Sequence, residues 1–221
     1  MQAKIEKTTG EKLDVVWNLT LAANAISANV EYGQIAEIEK VPGVKRVYVE
    51  DRYDPAVVNT ELEADPNMST SSSMIGTSAA YASGYTGAGS RIAVIDTGID
   101  TDHQSFDAGA FDYSLEEQAS NAGKTVADYH LLNPAEINRV MDQLHVTGVT
   151  SDQLYVNSKI PFGYNYVDDD LDITHDNDTQ GEHGSHVEGI AAANAYIPDG
   201  NGGYDHAIPS VFVQGVAPDA Q

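Results

Sequence analysis

The chain alternates short apolar runs with long polar stretches, and the runs fall into two groups. In the first group Ile26, Ala28 and Val30 alternate within 23–30 (ANAISANV), which predicts a strand with one buried face. Residues 34–40 (QIAEIEK) put Ile35 and Ile38 on one helical face, and the turn Val41-Pro42-Gly43-Val44 follows. Residues 45–50 (KRVYVE) read as another strand, with Val47 and Val49 on one face. Together these predict a small α/β unit, too short to be very stable alone. The next stretch holds Pro55, Pro66 and the serine-threonine tract 69–73. Such a composition cannot bury a core and is open to proteolytic cutting.

The second group begins near Met74. A helix over 79–83 leads into the glycine-rich turn 84–89, which is no phosphate loop because no Gly-Lys-Ser/Thr follows. Residues 91–95 (RIAVI) are almost continuously apolar, the pattern of a central parallel strand. The polar stretch 107–159 contains two predicted helices, 114–120 and 134–144, and a strand-like run follows at 160–166 (IPFGYNY). Residues 183–194 (HGSHVEGIAAAN) place Val187, Ile190, Ala191 and Ala192 at helical spacing. Gly184 and Gly189 are expected to let this helix approach neighbouring backbone closely. Strands alternating with helices predict an α/β fold with a mostly parallel sheet and flanking helices.

Composition narrows the function. Of 221 residues, 34 are Asp or Glu and 11 are Lys or Arg, a net charge of −23. Nucleic acid is not an expected partner, because phosphate binding needs clustered cations, nor is an anionic membrane surface. No residue is cysteine, which excludes thiol catalysis and disulfides and agrees with an exported protein. The first residues, MQAKIEKTTGEK, lack the apolar core of a signal peptide, so an export signal is expected upstream of this chain. No apolar run approaches the length needed to span a membrane.

The chemistry concentrates at two residues. Asp96 ends the apolar run RIAVI and precedes Thr97-Gly98, so its carboxylate would stand at the carboxyl end of a strand, where α/β folds place functional groups. An aspartate there also serves as a turn or helix cap. His183 opens the apolar helix, where a ring can reach a site from a rigid backbone or can simply cap the helix. His186 lies nearby, as a metal ligand or as a packing residue. Asp168, Asp169, Asp170, His175, Asp176, Asp178, Glu182, His183 and His186 form a dense donor set, but neither His-Glu-x-x-His nor an EF-hand spacing is present. A solvated acidic loop is the expected reading.

Taken together the motifs resemble the subtilisin-like serine peptidases, or subtilases. VIDTGID at 94–100 is similar to the family's aspartate motif, HGSHVEGIAAAN to its histidine motif, and GVAPDAQ at 215–221 to the segment after the histidine helix. Asp96 and His183 stand 87 positions apart, farther than in compact subtilisins. With SKIPFGYNYVDDDLDITHDNDTQGEHGSH at 158–186, this is most similar to lactocepin-type cell-envelope proteinases. The resemblance implies residues 1–53 as part of an inhibitory propeptide, 54–73 as linker and 74–221 as the amino-terminal part of the catalytic domain. It implies a secreted or cell-envelope bacterial endopeptidase acting on proteins or peptides, with its own propeptide as intramolecular inhibitor. His183 would be the general base and Asp96 its orienting carboxylate. Catalysis would need no cofactor, and a structural calcium ion is admitted without a ligand set.

The family's nucleophile lies in a Gly-Thr-Ser-Met-Ala type motif late in the domain. Gly76-Thr77-Ser78-Ala79-Ala80 matches it superficially, but it precedes Asp96, so Ser78 is not expected to be the nucleophile. The serine and the oxyanion-hole asparagine are expected beyond Gln221, and this chain alone is expected to be inactive. The rival reading is a non-catalytic inhibitory or binding fragment.

Overall fold

The computed structural model describes residues 1–20, 23–50, 74–174, 182–211 and 213–221. The proline- and serine-rich stretch expected as linker therefore lies outside the described residues. The chain separates into two compact units, Met1–Asp54 and Pro55–Gln221.

In the first unit, helix α1 (Gln2–Thr9) ends at Gly10, whose φ of 75° lets its amide bond back to the Glu6 carbonyl. Strand β1 (Asp14–Leu19) pairs antiparallel with β2 (Ala25–Asn29), from Asp14 opposite Asn29 to Leu19 opposite Ala25, with an irregularity between Val15 and Trp17. Helix α2 (Ile35–Ile38) closes the unit. Ile5, Leu13, Ile38 and Val41 form the core, with Val15, Ala28, Val44 and Val47 packed on it. The strand expected over 45–50 is not formed. Val47 reaches the core, but Tyr48 and Val49 stay exposed, and no neighbouring strand pairs with the segment among the described residues.

In the second unit α3 (Thr77–Ala82) is followed by irregular chain to residue 103. The buried parallel strand expected at 91–95 is not present. Ile95 is 98% exposed, and the sheets among the described residues are two antiparallel pairs, β1 with β2 and Tyr196–Pro198 with Tyr204–His206. A parallel strand needs hydrogen-bonding neighbours and covered faces. Among the described residues, Gln221 donates to the Ser90 carbonyl at 3.0 Å and accepts from the Ile92 amide at 2.8 Å, the staggered pattern of parallel pairing.

The polar stretch after residue 107 hides the longest helix among the described residues, α4 (Ala108–Asn121), which begins six residues before the expected start. The Asp107 carboxylate caps it by accepting from the Ala110 amide at 2.7 Å. Ala110, Phe111, Ser114, Leu115 and Ala119 form its buried face. Helix α5 (Pro134–Asn138) is capped by Asn133 and stops well short of Leu144, with a 3₁₀ turn at Met141–Gln143. Helix α6 (Ser151–Leu154) opens with a Thr150–Gln153 capping box. Ile137, Leu154 and Tyr164 form a local core. The expected strand at 160–166 reduces to one bridge, Asn165 with Asp170. Helix α7 (His183–Ala192), the hairpin β3 (Tyr196–Pro198) and β4 (Tyr204–His206), and α8 (Ala207–Val211) complete the unit.

Lys159 is a lysine at 1% exposure. Its ammonium donates to the carbonyls of Pro218 at 3.0 Å and Ala220 at 2.7 Å and lies 4.8 Å from the centre of the Phe111 ring. Burial pushes its pKa down to about 8, against the opposing fields of Asp219 and Glu188. The folded chain therefore releases this proton below the ordinary lysine value of 10.5. Between those two values the unfolded chain binds more protons, so stability from this group rises with pH. Urea midpoints measured across that window should climb for the wild type relative to Lys159→Met; equal slopes for the two would contradict the assignment.

Candidate active site

Asp96 lies on the loop that leaves 91–95, and His183 is the first residue of α7. The two are joined directly: His183 Nδ1 lies 2.7 Å from Asp96 Oδ1. The same oxygen accepts from the Thr97 amide at 2.8 Å and lies 3.3 Å from the Thr97 hydroxyl. The Asp96 side chain is 17% exposed and that of His183 35%. Burial by itself raises the Asp96 pKa, but the hydrogen bonds from His183 and from the Thr97 amide outweigh it and hold the carboxyl below its ordinary value. Asp96 is thus a carboxylate near neutral pH and can only accept, so the proton on the shared bond belongs to Nδ1. The lone pair of the neutral ring is then on Nε2.

The local backbone explains why the two residues meet. Gly98 has φ of 126°, and a Cβ there would fall 2.8 Å from the Ile173 carbonyl oxygen. This glycine turns the chain sharply after Asp96, and Ile99 then bonds to the Ile173 carbonyl at 2.8 Å. Gly184 sits against that turn: a Cβ on it would lie 2.0 Å from the Gly98 carbonyl oxygen. The Ser185 hydroxyl accepts from the Asp100 amide at 2.7 Å, a second tie between the first turn of α7 and the Asp96 loop. Gly189 differs from its expected role, because a Cβ there would meet nothing within 4 Å.

Other candidates separate from this pair. Ser78 is exposed on α3 and His186 is exposed on α7. His175, Asp176 and Asp178 lie outside the described residues. Asp168 accepts from Asn165, Asp169 accepts from the Tyr164 hydroxyl at 2.5 Å, and Asp170 accepts from the Asp172 amide at 2.9 Å. Those oxygens serve local turns, and no group of three or more His, Asp or Glu that could hold a metal forms among the described residues. Thr97 and Ser185 were not singled out by sequence; their only signal is adjacency to Asp96 and His183.

An ionised aspartate that fixes the Nδ1 proton of a histidine leaves Nε2 able to accept a proton, an arrangement also found in the catalytic triads of serine peptidases. Comparison with known proteins gives the same class. The subtilase family profile matches residues 87–221. The PII-type proteinase of Lactococcus lactis subsp. cremoris is 30% identical over 218 residues, 98% of this chain and 9% of that protein. The PIII-type proteinase of strain SK11 of the same subspecies is 30% identical over the same share. The minor extracellular protease Vpr of Bacillus subtilis strain 168 is 26% identical over 208 residues, 89% of this chain and 18% of that protein. No solved structure matches the chain. The chain belongs to the subtilase family. It spans about a tenth of the length of the Lactococcus relatives (9%).

Proposed function

We propose that the chain carries the acid–base half of a serine endopeptidase that hydrolyses peptide bonds in proteins. His183 Nε2 takes the proton of the nucleophilic serine and later delivers it to the leaving amine. Asp96 keeps the imidazole in the required tautomer and stabilises its charged form. The observation that carries this reading is the 2.7 Å bond between Asp96 and His183, formed across 87 positions of sequence. The relatives' names, proteinase and extracellular protease, support it.

The serine and the oxyanion donors are assigned to the part of the protein beyond these residues. Ser78 precedes Asp96 in the chain and is exposed on a short helix. The proton transfers of this reading use no cofactor, and a structural calcium ion remains part of the reading without an assigned ligand set. Residues 1–53 are assigned as part of an inhibitory propeptide, with the self-contained core around Ile5, Leu13, Ile38 and Val41 in support, 54–73 as the linker, and 74–221 as the amino-terminal part of the catalytic domain. The protein is assigned to the exported or cell-envelope fraction of a bacterium, with protein or peptide substrates as partners. No helix among the described residues is long and apolar enough to cross a membrane.

The test is turnover of a protein substrate by the full-length protein with and without the His183 imidazole. Hydrolysis that depends on it supports the reading; hydrolysis at the same rate without it overturns the reading.

A further inference from the structure

The segment Gly215–Gln221 joins the element that carries His183 to the element that carries Asp96. At its start, the amides of Gly215, Val216 and Ala217 donate to the carbonyls of Ala193, Ile190 and Ala191 at 2.9, 3.0 and 2.9 Å. These are the last carbonyls of α7 and its cap, which have no partner within the helix. The approach is so close that a Cβ on Gly215 would fall 2.4 Å from the Ala193 nitrogen. At its end, the Asp219 amide donates to the Thr86 carbonyl at 3.0 Å, and Gln221 brackets Arg91 through Ser90 and Ile92. Asp96 follows four residues later in the same chain.

The odd-numbered residues 219 and 221 thus face the chain at 86–92, and the even-numbered residues face Lys159. The segment turns at 217–220, where the Ala220 amide donates to the Ala217 carbonyl at 3.0 Å, and the carbonyls of Pro218 and Ala220 both lie on the Lys159 side. The Lys159 ammonium meets both of them, at Pro218 and Ala220. Tyr81 grips the other end, its hydroxyl 2.7 Å from the Gly215 carbonyl and 3.0 Å from that of Val216. The Gln221 side chain adds bonds to Leu132 and Ser158. Of the carbonyls from 215 to 221, all but that of Asp219 have one of these partners or the Ala220 amide.

We propose that Gly215–Gln221 is a strut that sets the separation of Asp96 and His183, and that Lys159 and Tyr81 are its positioning residues. Neither hydrogen-bonds to Asp96 or His183; they act through the backbone they hold. The inference rests on the pairing of Asp96 with His183, and its readout is that pairing itself and not turnover. Through its donors Lys159 fixes where the segment lies between α7 and residues 86–92, so losing it lets the two motif-bearing elements drift apart.

The experiment is proton NMR of the protein, following the low-field resonance of the His183 Nδ1 hydrogen, assigned by its loss in His183→Ala. Lys159→Met removes the clamp, and Asp219→Asn with it removes one of the two carboxylates, Asp219 and Glu188, whose fields favour the Lys159 charge. The resonance should disappear into solvent exchange or move upfield while circular dichroism stays native. A purely structural lysine would lower the melting temperature and leave the resonance in place, and that result overturns the proposal. Should the double variant fail to fold, Tyr81→Phe decides: a displaced resonance supports the strut, an unmoved one overturns it. A wild-type protein that shows the resonance but hydrolyses nothing would refute the peptidase reading alone.

Discussion

Replacing His183 with alanine in the full-length protein is expected to lower kcat by roughly four to six orders of magnitude while leaving KM within a few fold. The reason is the role of Nε2. A serine hydroxyl is a poor nucleophile at neutral pH unless a positioned base takes its proton as it attacks. Asp96 holds the only proton of the neutral ring on Nδ1 at 2.7 Å, which leaves Nε2 as that base. Alanine removes the base and disturbs little else. His183 is the first residue of α7, and the helix is held independently at its other end by Gly215, Val216 and Ala217. The variant should therefore fold and bind substrate, and its residual rate should reflect only binding and oxyanion contacts. Steady-state turnover of a peptide substrate, normalised to folded protein, measures the effect. A loss of less than tenfold would refute the assignment.

Gly184→Ala is expected to damage the site without touching a reacting atom. The added methyl would lie 2.0 Å from the Gly98 carbonyl oxygen and 3.0 Å from its carbon, and both are backbone atoms on the turn that carries Asp96. A side chain could swing away, but this turn cannot, because Gly98 is itself pressed on the Ile173 carbonyl. The start of α7 must then retreat by about 1 Å, enough to take a 2.7 Å bond out of hydrogen-bond range. Misplacement on this scale costs on the order of 100-fold in rate, and the overpacking costs about 1–3 kcal/mol of stability. Gly189→Ala in the same helix is the control. Its Cβ enters open space, so it should stabilise by about 0.5–1 kcal/mol through helix propensity. Thermal melts and turnover of the two variants check the pair; equal effects would contradict the packing argument.

Sequence singled out the two residues that the structure brings together because each sits in a run whose chemistry is local. An aspartate closing RIAVI and a histidine opening an apolar helix are legible one motif at a time. The contacts that bring them together were less legible. Gly184 and Gly189 look alike in sequence, and only the tertiary approach of Gly98 distinguishes them. Lys159 reads as one more polar residue in a polar stretch, because its burial depends on carbonyls about sixty positions away. The start of α4 was hidden by its polar composition, although Asp107 ahead of Ala110, Phe111, Ser114 and Leu115 is a cap followed by an i, i+4 apolar stripe. The run at 91–95 carries the apolar signature of a central strand, yet hydrogen-bonding neighbours make a strand, and among the described residues its backbone bonds run to Gln221. The β1 strand escaped for a similar reason: the irregularity between Val15 and Trp17 breaks the alternation that marks a half-buried strand.

The central claim is that Asp96 and His183 act as one catalytic unit, and the most direct test is a double-mutant cycle on kcat in the full-length protein. Asp96→Asn alone should cost about 10⁴-fold, because an amide can donate to Nδ1 and so favours the wrong tautomer. Once His183 is alanine there is no ring left to orient. Asp96→Asn added to His183→Ala should then lower kcat no further than His183→Ala does by itself. A double variant slower than His183→Ala by the full factor of the Asp96 substitution would show two independent residues, and the account would be wrong.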